Sequence, residues 1–303
     1  MKKKPLVSVI CLCYNHAEFV VESLNSVINQ SYGNIELIII DDFSSDNSVQ
    51  IIELWLKKHP ETVFLKNEIN LGNTRTFNKA FEICTGEYVV DLACDDILMP
   101  DCIAKQVHEF ENSDYKNLAL VYGNSELISD NNQFIKLHFD VDANQKTIDK
   151  IATGNIYESI LSGETVLNSV AAMIKTSVLQ SIHGYDETLS YEDLDVWIRI
   201  ARSFEVAFID EILVQKRVVE NSLGSDFFRK KSLKSQKINQ STLSIFQKVY
   251  QMNKTISEDK AILKRIHFDM ILNFKNNNFR ILFQLLLLEL KFRCRIIFKS
   301  NFF

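Results

Sequence analysis

Apolar runs alternate with periodic segments along the first third of the chain. The runs predict strands at residues 6–12, 35–41, 62–65 and 87–93. The segments between them carry apolar residues at three- and four-residue spacing and predict helices at residues 17–30, 47–58 and 74–84. Strands that alternate with helices imply βαβ crossovers, so we expect an α/β fold whose mostly parallel central sheet is flanked by helices.

The pattern changes at Leu118, and the later elements are less regularly spaced. We expect strands at residues 118–121, 169–174, 204–209 and 212–217, and helices at residues 146–161, directly before Ile182 and after Glu192. Beyond residue 225 only helical patterns remain. We therefore predict one sheet-containing domain over residues 1–220 and a helical C-terminal extension over residues 221–303.

Charge is distributed unevenly along the chain. The net charge is −5, but residues 227–303 hold 16 Lys and Arg against 4 Asp and Glu, whereas the first 226 residues hold 18 against 35. An acidic body argues against a protein whose main domain binds nucleic acid. This charge distribution suits a domain that holds cations or cation-bridged phosphates. The basic C-terminal segment would then face an anionic partner.

The six cysteines show no CxxC spacing and no histidine partner at zinc-ligand distance. Several lie inside apolar runs, so we expect reduced thiols and a cytoplasmic protein. The basic N-terminus is followed by Pro5 and a short apolar run without a small-residue cleavage site, which favours a first strand over a signal peptide. The histidines are scattered, and we expect each of them, His16 included, at the surface or satisfied in the core.

Polar residues follow the predicted strand ends. They are Tyr14 and Asn15 after the first strand, Asp41 and Asp42 at the end of the second, Asn70, Gly72 and Arg75 after the third, and Asp95 and Asp96 after the fourth. Ligands of an open parallel sheet bind beyond the carboxyl ends of its strands, so we expect these residues along one rim. Each has a plain alternative: the aspartates could form turns or helix caps, Gly72 could serve the backbone alone, and Arg75 could be a solvated charge. Their coincidence on one edge favours a binding site.

Paired carboxylates at a strand end are hard oxygen ligands, which suit Mg²⁺ or Mn²⁺ bridging a diphosphate. The sequence offers no other phosphate cradle, since neither a P-loop nor a Gly-rich dinucleotide turn follows the first strand. We therefore predict a divalent metal cofactor.

Five ordered motifs resemble those of glycosyltransferase family 2. They lie at residues 7–15, 36–46, 70–72, 86–88 and 95–96. The resemblance runs from about Pro5 to about Arg217 and is specific as an ensemble. It implies the GT-A fold and an inverting transfer of a sugar from a nucleotide-sugar donor to an acceptor hydroxyl, with UDP as the commonest nucleotide and bacterial surface polysaccharide synthesis as the setting.

The same resemblance assigns roles to the rim. Asp42, with Asp41 beside it, would bind the nucleotide base, and Asp95 would hold the metal with Asp96 as a helper. The other donor-site residues are Tyr14, Asn15, Asn70, Gly72 and Arg75.

Two positions depart from the family pattern. Ala93 stands where many members carry the first aspartate of the metal motif. The basic residue of the segment 75–78 is shifted from its usual place, and we assign Arg75 to the donor phosphates.

Residues 184–187, followed by 191–197, resemble the family's Glu-Asp motif, in which the aspartate is the catalytic base. By that resemblance Asp193 takes the acceptor's proton, and Glu192 positions it or contacts the acceptor. An inverting transfer is a single in-line displacement, so it needs a carboxylate opposite the leaving diphosphate. The alternative is structural, because Ser190 and Asp193 also have the spacing of a capping box.

The last apolar stretch, residues 281–290, is too short and too interrupted to span a bilayer. The basic residues that flank it are Arg280, Lys291, Arg293, Arg295 and Lys299. This pattern predicts an interfacial helix on the anionic inner leaflet of the membrane. The family resemblance, and not this pattern, implies a lipid-linked glycan acceptor there. The alternative is a helix packed on the protein or across a dimer, and the oligomeric state stays open.

Two other functions are compatible with these residues. A sugar-phosphate nucleotidyltransferase uses a similar sheet and metal, but such enzymes usually carry a basic Gly-rich loop where this chain has Tyr14 and Asn15. A non-catalytic sugar-nucleotide-binding protein would explain Ala93, but Asp95 and Asp193 are intact. The sugar, the acceptor glycan and the linkage are left open by the sequence.

Overall fold

A computed structural model of the chain describes residues 4–219 and 233–301. The chain divides into two compact units. The first, here called the sheet unit, comprises Met1–Asn155, Leu167–Asp186 and Ser203–Val219. The second, the helical unit, comprises Ile156–Val166, Glu187–Arg202 and Glu220–Phe303. Two internal segments therefore group with the C-terminal residues.

The sheet unit contains nine strands among the described residues. They are β1 (Val7–Cys13), β2 (Ile35–Asp41), β3 (Val63–Lys66), β4 (Tyr88–Ala93), β5 (Ile97–Leu98), β6 (Leu118–Ile128), β7 (Phe134–Leu137), β8 (Ala172–Lys175) and β9 (Glu205–Arg217). With helices numbered along the whole chain, those of this unit are α1 (Val20–Ile28), α2 (Ser48–Leu56), α3 (Asn73–Phe81), α4 (Cys102–Asn112) and α6 (Thr176–Ser181), together with a 3₁₀ turn at Ser169–Ala171.

The strands form one mixed sheet in the order β3-β2-β1-β4-β8-β6-β9-β5, with β7 paired to β6. Strands β3, β2, β1 and β4 are parallel, whereas β8 is antiparallel to both of its neighbours. The register places Cys13 of β1 beside Asp41 of β2, and Leu12 beside Ala93 of β4. The strand ends that carry the candidate residues therefore lie next to one another.

The core of the sheet unit follows the two-residue period of its strands. Val9 and Cys11 of β1 are fully buried in one apolar cluster with Val20 and Leu24 of α1. Ile10, between them in sequence, is equally buried and points to the opposite face of the sheet. Strand β1 is thus covered on both sides, as its unbroken apolar run predicts.

The helical unit contains α5 (Tyr157–Ser162), α7 (Asp193–Ala201), α8 (Leu233–Met252), α9 (Ile256–Lys275) and α10 (Phe279–Asn301). Helix α9 begins with a capping box, in which the Thr255 hydroxyl accepts from the Glu258 backbone N–H at 3.1 Å and the Glu258 carboxylate accepts from the Thr255 N–H at 3.1 Å. No helix of the described residues is long and apolar enough to cross a membrane.

Three local predictions were wrong. The helix expected at residues 146–161 is confined to α5, because Gly154 at φ 76° pairs with Val206 of β9 and interrupts any helix there. The two strands expected at residues 204–209 and 212–217 are one strand, β9, whose middle is irregular where it pairs with β6. The strand expected at residues 169–174 begins instead as a 3₁₀ turn and becomes extended at Ala172. Helix α4 and the short strands β5 and β7 were not predicted.

Candidate functional site

Asn15 joins the ends of β1 and β2. Its backbone is left-handed at φ 58°, a conformation that Asn tolerates better than most residues. Its side-chain oxygen accepts from the backbone N–H of Ser45 at 2.8 Å, and its own N–H donates to the Ser44 hydroxyl at 2.9 Å. The neighbouring Tyr14 is about half exposed at this rim. Asn15 therefore shapes the loop, and Tyr14 presents a ring to solvent.

The two aspartates at the end of β2, Asp41 and Asp42, are both buried and both accept hydrogen bonds. Asp41 accepts from the backbone N–H and the hydroxyl of Ser44. Asp42 accepts from the Leu71 N–H at 2.8 Å, from the Gly72 N–H at 2.9 Å and from the Asn67 side chain at 2.9 Å. A carboxylate has about four lone-pair positions, so Asp42 retains acceptor capacity while it holds the loop after β3.

Gly72 is the N-cap residue of α3 and has φ 83°, a backbone conformation that favours glycine. Asn70, two residues earlier, is exposed, and so is Arg75 on the first turn of α3. The loop that Asp42 holds thus carries Asn70, and the first turn of α3 directly after it carries Arg75, both exposed at the rim.

Asn78 of α3 fixes a distant loop of the sheet unit. Its side-chain amide donates to the Tyr185 carbonyl at 2.8 Å and its oxygen accepts from the Tyr185 N–H at 2.9 Å. A Cβ at Gly184 would meet the Asn78 oxygen at 2.6 Å, so the close approach requires glycine there. Sequence reasoning gave Asn78 no role, since the partner lies 107 residues away.

Asp95 lies two residues after the end of β4 and is only 8 % exposed. Among the described residues no hydrogen-bond donor reaches its carboxylate, and the nearest basic group is His16, whose Nε2 is 3.8 Å from Asp95 Oδ2. The other ring nitrogen of His16, Nδ1, is buried without a hydrogen-bond partner. His16 is therefore part of the rim and not the satisfied core or surface residue that its isolation in the sequence indicated.

The surroundings of Asp95 fit a divalent cation. A carboxylate whose side chain is only 11 % exposed and that no donor of the described residues reaches keeps little solvation, and a cation would compensate its negative charge. In the part of the chain that the structure describes, no group of three or more His, Cys, Asp or Glu side chains could hold a metal. A cation at Asp95 would thus have few protein ligands. Mg²⁺ and Mn²⁺ suit such a site, because they can keep water ligands and bind the oxygens of a diphosphate.

Asp96 is buried beside Asp95 but faces a different environment. Burial of the side chain is the larger cause and the negative charge of Asp95 the smaller one, and together they raise the pKa of Asp96 to about 8. The backbone N–H of Arg217 donates to Asp96 Oδ1 at 2.8 Å and opposes this rise in pKa. Asp96 therefore accepts a backbone hydrogen bond, whereas no donor in the described part of the chain reaches the Asp95 carboxylate.

Arg217, at the end of β9, anchors the turn that carries both aspartates. It is 3 % exposed, and its Nε donates to the Asp95 carbonyl at 3.0 Å. Its other guanidinium nitrogens donate to Glu22 at 2.9 Å and to the Asn132 side chain at 2.6 Å, and the group stacks over Phe19 at 4.4 Å. Sequence reasoning missed this role, although an arginine that ends an apolar strand was a signal for it.

The acidic segment before α7 belongs to the helical unit. Glu192 is the N-cap residue of α7 and Asp193 is its first residue, and no side-chain hydrogen bond caps the helix. Ser190 is not the N-cap, so the capping-box interpretation does not describe this helix. Asp195, two residues after Asp193, is 2 % exposed and bound by Arg199 and Lys248. The candidate donor-site residues all lie in the sheet unit, whereas Glu192 and Asp193 lie in the helical unit.

Comparisons of the sequence with known proteins find glycosyltransferases. The profile described as Glycosyl transferase family 2 matches residues 8–182. An uncharacterized glycosyltransferase of Methanocaldococcus jannaschii is 29 % identical over 218 residues, which are 71 % of this chain and 71 % of that protein.

Two solved structures share the fold. Residues 1–349 of TarS from S. aureus, in complex with UDP-GlcNAc, superpose with a TM-score of 0.65 at 16 % identity, covering 89 % of this chain and 73 % of that one. The mannosyltransferase PcManGT from Pyrobaculum calidifontis, in complex with GDP-Man and Mn²⁺, gives a TM-score of 0.61 at 18 % identity, covering 95 % and 74 %. The described chain has the GT-A fold, with a mixed α/β sheet flanked by helices and a helical C-terminal region.

Proposed function

We propose, from the premise that the chain belongs to glycosyl transferase family 2, that it moves a sugar from a nucleotide-sugar donor to an acceptor hydroxyl with inversion of the anomeric carbon. The observation that carries the proposal is Asp95, a buried carboxylate without a donor at the end of β4, where the ligands of such sheets bind. The nucleotide sugars in the TarS and PcManGT structures support the donor class.

On the donor side we assign the nucleotide base to Asp42 and Asp41, with Tyr14, Asn15, Asn70 and Gly72 around them. Arg75, exposed on the first turn of α3, would contact the phosphates.

Asp95, with Asp96 beside it, would hold Mn²⁺ or Mg²⁺. The cation, when bound, neutralises charge that grows on the leaving diphosphate. Arg217 keeps the Asp95–Asp96 turn in place through its hydrogen bonds to both residues.

On the acceptor side we assign the base to Asp193. It takes the proton of the acceptor hydroxyl as the new glycosidic bond forms. The N-terminus of α7 stabilises a carboxylate at this position, because the helix dipole favours negative charge there. Glu192, the preceding residue, would position Asp193 or contact the acceptor.

For the substrates we propose a UDP-sugar donor, a hexosyl or N-acetylhexosaminyl group, and a glycan or lipid-linked glycan acceptor in bacterial surface polysaccharide synthesis. The resemblance of the motifs supports this choice, as does UDP-GlcNAc in the TarS structure. We propose a cytoplasmic location. Its support is that all six thiols are free and that Cys11, Cys13, Cys94 and Cys102 are buried, as expected in a reducing compartment.

The test is release of nucleoside diphosphate from a panel of nucleotide sugars in the presence of Mn²⁺. We expect turnover with at least one donor, its loss in excess EDTA, and a fall of at least about a hundredfold in Asp95→Asn. The same variant should lose the stabilisation against heat that UDP and Mn²⁺ together give the wild type. Asp101→Asn, which replaces an exposed carboxylate six residues after Asp95 in the sequence, is the matched control and should keep both turnover and stabilisation.

Other outcomes identify the alternatives. Pyrophosphate formed from a nucleoside triphosphate and a sugar phosphate would make the chain a nucleotidyltransferase. Binding of UDP without turnover of any donor would make it a binding protein. Full activity in EDTA, or in Asp95→Asn, would contradict the assignment of the metal.

A further inference from the structure

Helix α10 has two apolar sides. Its buried residues recur every three or four positions and are Ile281, Leu285, Leu288 and Phe292. On the opposite side the exposed residues include Phe279, Phe283, Leu287, Leu290, Ile297 and Phe298. A surface helix ordinarily buries one apolar stripe and turns polar residues outward. The second stripe of α10 is left uncovered by the described residues.

Helix α9 extends this exposed stripe. Phe268, Ile271 and Phe274 near its C-terminal end are also exposed, and the rings of Phe274 and Phe279 are in contact with centroids 6.4 Å apart. These three residues and the six apolar residues of α10 named above are called the apolar face. Single exposed apolar residues are ordinary, but a contiguous group of large ones marks an interaction site.

Basic side chains border the apolar face. Lys275, Arg280, Lys291 and Arg293 are exposed beside it and are called the basic rim. Helix α10 carries a single acidic residue, Glu289, and this residue pairs with Arg293. The surface is therefore apolar at its centre and positive around it.

This charge pattern decides between two occupants. A two-fold dimer places the same patch of both copies together, so the basic rim of one copy would meet the basic rim of the other. An anionic lipid surface neutralises the rim and also accepts the apolar side chains at the boundary between head groups and acyl chains. Charge complementarity therefore favours the lipid surface.

We propose that the apolar face and the basic rim of α9 and α10 bind the surface of a membrane that contains anionic lipid. The exposed rings of Phe279, Phe283 and Phe298 enter the interface, and the basic rim contacts the lipid head groups. The proposal concerns the helical unit alone and does not depend on sugar transfer.

Co-sedimentation of the full chain with vesicles tests the apolar contribution. We expect binding to phosphatidylcholine vesicles with about 30 % phosphatidylglycerol and little binding to phosphatidylcholine alone. Phe283→Ser combined with Leu290→Ser should weaken binding by about tenfold or more, since two large exposed groups no longer leave water. Leu54→Ser, an equally exposed apolar residue on α2, is the matched control and should bind like the wild type.

The charge contribution has its own pair of variants. Arg280→Gln with Lys291→Gln should weaken binding by about tenfold or more, and about 0.5 M NaCl should release the wild type. Lys57→Gln with Lys58→Gln removes two exposed charges from the sheet unit and should change neither result. All substituted side chains are exposed, so every variant should melt at the wild-type temperature.

Three results would overturn the proposal. The first is that the wild type does not bind vesicles, and the second is that it binds neutral and anionic vesicles equally. The third is that neither the double serine variant nor the double glutamine variant of α10 binds more weakly than the wild type. Sedimentation equilibrium identifies the other occupant. A stable dimer that fails to bind vesicles and that Phe283→Ser with Leu290→Ser dissociates would show that a second copy covers the apolar face.

Discussion

At the scale of the residue, different surroundings give different roles to carboxylates that are close in sequence. Asp193 and Asp195 are two residues apart at the start of α7. Asp195 is buried, with Arg199 at 2.6 Å and Lys248 at 2.7 Å from its oxygens. Asp193 is half-buried at the helix N-terminus. Asp195 thus serves the stability of the helical unit, and Asp193 remains the candidate for chemistry.

A pair of substitutions distinguishes these two roles. Asp193→Asn keeps the shape of the side chain but cannot accept a proton, so we expect kcat to fall by about 10² to 10⁴-fold while donor binding is unchanged. Asp195→Asn removes the buried negative charge that Arg199 and Lys248 both contact, and it should lower the free energy of unfolding by about 3 kcal/mol. The folded fraction of Asp195→Asn should keep its kcat. Normal transfer by Asp193→Asn would remove it as the base, and loss of transfer in Glu192→Gln alone would reverse the two roles.

At the scale of the element, α10 is fixed to the helical unit by polar contacts as well as by its buried stripe. Asp259 of α9 is fully buried, and both of its oxygens accept from Arg295 of α10. The guanidinium of Arg295 also lies 4.0 Å from the ring centroid of Tyr250 in α8. Arg295 therefore turns inward and joins three helices, whereas Arg293 stays at the surface.

Removal of Arg295 should separate this structural role from the surface charge of α10. Arg295→Ala leaves Asp259 buried without its main partner, so we expect a loss of about 3 to 5 kcal/mol in the free energy of unfolding. Arg293→Ala breaks only an exposed pair with Glu289 and should cost at most about 1 kcal/mol. Urea unfolding of both variants provides the measurement. Equal stability of the two would contradict the inward role of Arg295.

At the scale of the whole molecule, the two compact units divide the candidate chemistry, since Asp95 belongs to one and Asp193 to the other. The helical unit also buries ionisable groups that no proposed step uses. Burial raises the pKa of Asp269 in α9 to about 7, and the charge of Arg265 only partly opposes this rise. Tyr191 also faces this pair. The stability of the chain should therefore depend on pH through this unit.

The direction of this pH dependence follows from the raised pKa of Asp269. Between its ordinary pKa of 3.8 and its folded pKa of about 7, the folded state holds a proton that the unfolded chain has released. The contribution of Asp269 to stability therefore falls as pH rises through this window and is least above pH 7. From pH 5 to pH 8, the free energy of unfolding of Asp269→Asn should therefore rise by about 2 to 3 kcal/mol relative to that of the wild type. The free energy of unfolding of both proteins is measured at pH 5, 6, 7 and 8. A difference between them that stays constant with pH would contradict the buried, protonated state of Asp269.

Local patterns in the sequence determined the fold class and the edge of the sheet that carries the rim. Strand β2 was predicted at residues 35–41 and is observed there, and β1 and β4 differ from their predicted bounds by one residue. This worked because a strand buried on both faces is a continuous apolar run and a covering helix has a 3.6-residue period. The candidate residues at the strand ends followed from the same patterns.

Tertiary structure alone decided which polar residues serve the rim and which serve the fold. Arg217 reaches Asp95 across 122 residues, Asn78 reaches Tyr185 across 107, and Lys248 reaches Asp195 across 53. Contacts of this length leave no period in the sequence, since a side chain's partner depends on how distant segments pack. For the same reason the sequence of α10 showed an apolar helix with basic flanks, and only packing determined that one of its apolar sides is buried and the other exposed.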